Sequence, residues 1–122
     1  MDKTQCRDVL IYLFPSFGSY WEDEDINRED DGSFTAHGLL SSFFFFYKAQ
    51  HLIFDEKTIS ELATKLEEIV SADPNDESDV ANAICTSFLE LIDENREGKV
   101  LEKHLGMECL KFLEAMRGYD GS

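Results

Sequence analysis

The chain has 122 residues, is 43% hydrophobic and carries a formal charge of −15, from 26 Asp and Glu against 11 Lys and Arg. Ten Phe, four Tyr and one Trp supply enough apolar volume for one core, which excludes a disordered acidic tail, since such tails lack aromatics. So large an anionic excess also argues against direct nucleic-acid binding and for a cationic partner, which would relieve the self-repulsion.

Taken in chain order, the apolar periodicity predicts five helical segments in a single domain over 1–122, an irregular all-α bundle. Thr4 is positioned to cap a first helix carrying Cys6, Val9, Leu10, Leu13 and Phe14, and Pro15 stops it. From about 16 to 32 no period survives. This stretch is expected to be an acidic loop, pinned by Phe17, Tyr20 and Trp21. A second helix opens at Ser33 or Thr35 and runs to about Leu52. Its apolar residues Leu39, Leu40 and Phe43 to Tyr47 cover most of the circumference, as in a central helix, although the Phe run also has the composition of a buried strand. Length and the absence of a second strand-like run decide for helix.

The third helix, capped by Asp55, carries Ile59, Leu62, Ala63, Leu66, Ile69 and Val70 at helical spacing and ends at Asp73, Pro74 and Asn75. A fourth starts near Ser78, turns Val80, Ala81, Ile84, Phe88, Leu91 and Ile92 inward, and is closed by Gly98. Val100 to Leu105 form a short helical turn ended by Gly106. The last helix follows from Met107 with Cys109, Phe112, Leu113 and Met116 as its stripe, and 118–122 form a frayed tail.

Arg7 and Asp8 interrupt the first apolar stretch, so no secretory signal is expected there. The longest apolar run, Phe43 to Tyr47, is far short of the ~20 residues of a membrane helix. Cys6, Cys85 and Cys109 are odd in number and lack paired spacing, which fits free thiols in a reducing cytoplasm.

The chemistry-bearing residues are sparse. His37, His51 and His104 have no Cys or His at ligand spacing. Ser41, Ser42 and Cys85 lack a neighbouring base, and no Gly-rich phosphate loop occurs. The expectation is a non-enzyme without cofactor or metal. The segment from Asp23 begins like a calcium loop, but its sixth position is Arg28 where Gly is needed and its twelfth is Phe34 where Glu is needed.

The acids concentrate between Glu22 and Asp31, where seven carboxylates face one guanidinium, that of Arg28. The candidate partner-binding residues are Glu22, Asp23, Glu24, Asp25, Glu29, Asp30 and Asp31, with Tyr20 and Trp21 as aromatic anchors beside them.

The strings Ala81 to Glu90 and His104 to Met116 resemble a family of small acidic helical bacterial proteins, in which a Leu-Gly-x-Glu turn, here Leu105 to Glu108, starts the last helix. Phe112 and Leu113 stand where that family often has two Trp. The group is similar to immunity proteins of polymorphic toxin and contact-dependent growth inhibition systems. The resemblance implies a cytoplasmic inhibitor of a cognate basic nuclease toxin, RNase before DNase. The alternative is an acidic adaptor or nucleic-acid mimic that binds a basic nucleic-acid-associated protein.

Overall fold

Asp2, rather than Thr4, starts the first helix. Its carboxylate accepts the Gln5 N–H at 2.8 Å while the Gln5 side-chain oxygen accepts the Asp2 N–H at 2.9 Å, a reciprocal capping box that satisfies two otherwise orphaned donors. The computed structural model describes residues 1–23, 28–72, 79–95 and 98–119. Among these, seven helices and a short 3₁₀ turn are present, and no strand longer than a single bridge.

Helix α1 (Lys3–Leu13) ends at Phe14, whose backbone leaves the helical region (φ −132°, ψ 82°) because the following proline disfavours helical geometry. Pro15 also opens α2 (Pro15–Asp23). The fixed φ and missing N–H of proline suit the first position of a helix, and the Phe14 carbonyl accepts the first bond, from Phe17 N–H at 2.8 Å. The expected loop over 16–32 is therefore helical in its first half. Phe17, Tyr20 and Trp21, spaced i, i+3, i+4, form the inner face of this helix.

Thr35 caps α3 (Ala36–Gln50) by accepting the Gly38 N–H at 2.9 Å. The Phe run is helix, and Leu39, Leu40, Phe43, Phe44, Phe46 and Tyr47 are buried on it while Phe45 faces out. The Phe43 ring lies 5.5 Å from Phe14, 5.1 Å from Phe17 and 5.1 Å from Phe88, so one aromatic cluster joins α1, α2 and α3 to the later segment that carries Phe88. The 3₁₀ turn His51–Ile53 follows, and Phe54 returns to that cluster against Phe14, Phe46 and Tyr47.

Asp55 caps α4 (Glu56–Ala72), accepting the Thr58 N–H at 2.8 Å. The segment at 73–78, with the expected stop at Asp73, Pro74 and Asn75 and start at Ser78, lies outside the described residues. Helix α5 is continuous over 80–94, as Val80–Ile84, one π-helical turn Cys85–Leu89, and Glu90–Glu94. It is the wall between two sides of the core, packing α3 on one side and α4 and the last helix on the other.

Gly98 does not close α5, which ends with Asn95 as its cap residue. It is the cap residue of α6 (Lys99–His104), a full helix where a turn was expected. An added Cβ at Gly98 would stand 2.6 Å from the Ile92 side chain, so close packing of α6 on α5 accounts for the glycine. Helix α7 (Met107–Tyr119) extends two residues into the span expected to fray; 120–122 lie outside the described residues. Its N-terminus is capped from α4: Glu67 accepts the Cys109 N–H at 3.0 Å and the Glu108 N–H at 3.1 Å.

Candidate binding surface

Residues 28–34 form a clipped turn. Arg28 and Phe34 pair as an isolated antiparallel bridge, the Glu29 N–H donates to the Ser33 carbonyl at 2.8 Å, and the Gly32 N–H to the Glu29 carbonyl at 2.9 Å. Gly32 takes a left-handed φ of 87°, open to glycine without steric cost. Asp31 accepts the Ser33 N–H at 2.9 Å, and this bond holds its carboxyl below the usual carboxylate value.

Aromatic rings anchor the turn to the bundle. Phe34 meets Trp21 edge-on at 5.3 Å, and Arg28 lies over the Trp21 ring at 5.6 Å while donating to the Glu22 carbonyl at 2.7 Å. From α1, Lys3 donates to the Phe34 carbonyl at 2.6 Å, and both Lys3 and Arg7 stand over the Phe34 ring, at 5.3 and 5.5 Å. Cations therefore face the rings, while Glu22, Asp23, Glu29, Asp30 and Asp31 are exposed. Glu24 and Asp25 lie outside the described residues.

The two aromatic anchors pin this segment to the core, as expected. Trp21 is 3% exposed, enclosed by Phe17, Phe34 and Arg28. Tyr20 is half-buried against Phe17 and Phe46. Both hold the turn and α2 to the core, because an apolar ring at an inward helical position gains more from burial than from contact with water. Among the described residues the surface here is chiefly carboxylate, with Tyr20 and Phe34 partly buried beside it.

Among the described residues no three of His, Cys, Asp and Glu converge as a metal site. His37 is less isolated than its sequence position suggests. Its Nδ1 is 2.8 Å from the Ser87 hydroxyl, on the π turn, and its Nε2 is 3.4 Å from the Asn82 amide nitrogen. These contacts tie α3 to α5. Neither Ser87 nor Asn82 could be paired with His37 from the sequence, since they lie 50 and 45 residues away.

A cavity of about 250 Å³ lies between α5, α6 and α7, floored by Leu89, Ile92, Leu101, Leu105 and Leu113. At its mouth Arg117 pairs with Asp93 at 2.6 Å and with Glu102, and these bonds raise the guanidinium further above its ordinary value. Three of the polar groups at this mouth, Arg117, Asp93 and Glu102, are thus engaged with one another. His104 pairs with Glu56 at 3.0 Å, joining α6 to the start of α4. Among the described residues no helix is long and apolar enough to cross a membrane. No family model, curated protein or solved structure matches the chain.

Proposed function

We propose that this protein is an immunity-type inhibitor that binds a basic toxin domain, an RNase first and a DNase second, through the surface formed by the end of α2 and the 28–34 turn. One observation carries the reading: the turn is held in a defined shape with its cations directed onto Trp21 and Phe34 and its carboxylates outward. A nuclease surface must attract a polyanion and is correspondingly basic. A preformed acidic face complements it, and a net charge of −15 accelerates the encounter by electrostatic steering. The resemblance of the Ala81 to Glu90 and His104 to Met116 segments to immunity proteins points the same way.

The test is capture of a basic protein from the source cell at low salt, followed by assay of its nucleic-acid cleavage with and without one equivalent of this chain. Suppressed cleavage is the expected result. Replacing Asp23, Asp25, Asp30 and Asp31 with Asn should slow association most at low salt, where the Debye length is long. Asn retains the side-chain acceptor used by Ser33, so the turn keeps its shape. A captured basic protein without nuclease activity would favour the adaptor reading. Inhibition unchanged by the four substitutions at every salt concentration would move the interface off this turn.

A further inference from the structure

The C-terminal half of α3 and the 3₁₀ turn that follows it turn a row of apolar side chains to solvent. Phe45 is 54% exposed, Leu52 88% and Ile53 77%, with Ala49 exposed between them. Phe45 and Ala49 are spaced i, i+4 on α3, and Leu52 and Ile53 continue the exposed row on the 3₁₀ turn. The end of this stripe is held in place, because Phe54 is seated among Phe14, Phe46 and Tyr47, and the His51 ring stacks on Tyr47 at 5.4 Å. A fixed apolar stripe is what a docking face requires.

Charge and register say what covers it. From Gly32 to Phe54 the chain has no carboxylate, although the whole chain has 26. Two molecules at −15 repel across most of their surfaces, and this helix is where two copies approach with least repulsion. The stripe is also self-complementary about Ala49. Laid antiparallel on itself, it sets Phe45 against Ile53 and Leu52 of the other copy, Ala49 against Ala49, and Lys48 against Gln50 rather than against a second Lys48. A small residue at the crossing lets the helix axes come close, which brings the flanking large side chains into contact.

We propose that a second copy of this chain docks on α3, forming a two-fold antiparallel dimer centred on Ala49. The acidic turn adjoins the other end of the same helix, next to Thr35, so it stays outside the dimer contact. The dimer thus stands or falls independently of toxin binding. Its salt dependence also runs the opposite way: screening weakens attraction to a cation but relieves repulsion between two anions, so added salt should strengthen the dimer.

Sedimentation velocity on the full chain from about 1 to about 500 µM, a range spanning ordinary weak-dimer affinities, should show the mass moving from 14.0 kDa toward twice that value. Raising NaCl should shift the transition to lower concentration. Ala49→Arg, at an exposed helical position, places like charges at the two-fold and should raise the dissociation constant at least about tenfold. Leu52→Ser should weaken the dimer without touching the buried core.

Cross-linking reads the register, with the unsubstituted chain as the control for its native thiols. Ala49→Cys should form a disulfide dimer with itself. Phe45→Cys should not, because two such residues lie about 12 Å apart along antiparallel axes, yet it should cross-link in a mixture with Ile53→Cys. A chain that stays at 14.0 kDa throughout, a dimer indifferent to both Ala49→Arg and Leu52→Ser, or preferential Phe45→Cys self-linkage would each overturn the proposal.

Discussion

Glu67 occupies the space that a side chain at Gly106 would fill: a Cβ built there overlaps Cγ and Cδ of the glutamate. The glycine thereby lets a carboxylate from α4 reach the start of α7, where it accepts two N–H bonds that no residue of α7 itself satisfies in this way. Glu67→Ala should cost about 0.5–2 kcal/mol, the ordinary worth of a helix cap. Gly106→Ala should displace the same carboxylate, so the double variant should lose less than the sum of the single losses. Urea unfolding of the three variants checks this, and full additivity would show that the glycine acts independently of the cap.

The single Trp reports on α2. Trp21 is buried under Phe34 and Arg28, so native emission should be blue-shifted and should move to the red on unfolding. Trp21→Ala should cost about 3–5 kcal/mol through lost burial and a cavity. A native emission already typical of water would place Trp21 at the surface and contradict this packing.

Acid should weaken the fold through two carboxylates. The Ser33 N–H lowers the Asp31 value and the Thr58 side-chain and backbone bonds lower that of Asp55, both from 3.8. A depressed folded-state value means stability that is present above the unfolded value and lost as pH falls through the folded one. The wild type should therefore exceed the Asp31→Asn/Asp55→Asn variant in stability at neutral pH, and the two should converge in acid. A constant gap across pH in thermal unfolding would show that the charged form is not favoured.

Thiol labelling should be graded. Burial raises the Cys6 thiol to about 12 and, with Glu67 beside it, raises Cys109 as well, so neither offers thiolate at pH 8. Cys85 is half-buried. A disulfide-exchange reagent should titrate at most one thiol in the native protein, at Cys85, and three after denaturation. Rapid modification of all three in the native state would contradict this core.

Helix content, the central position of α3 and the inner faces of α4 and α5 were legible because each rests on local spacing. The boundaries at Pro15 and Gly98 were not, because each residue plays two parts: proline that ends one helix suits the first position of the next, and a glycine expected at a helix end instead permits close approach at the following helix's start. Trp21 stands next to acids in sequence but beneath Phe34 in space, and adjacency along a helix carries no information about which side faces in. The Glu67 cap and the His37–Ser87 tie join residues more than 40 apart, beyond the reach of any local pattern.

The π turn of α5 governs how chain length can vary there. Val80, Ile84, Phe88 and Ile92 are all buried and recur every four residues, a spacing that drifts about 40° per step around a regular α-helix. The widened turn Cys85–Leu89 takes up that drift and keeps the four side chains in register with the core. Deleting one residue within it, between Ile84 and Phe88, would place the same four side chains at i, i+4, i+7 and i+11 of a regular α-helix, which is still one inward face, so Ile92 would stay in the core. This turn is therefore the place where the helix can lose a residue and keep its phase, whereas a residue added to or removed from the regular turns on either side would rotate the distal half by roughly 100° against the core.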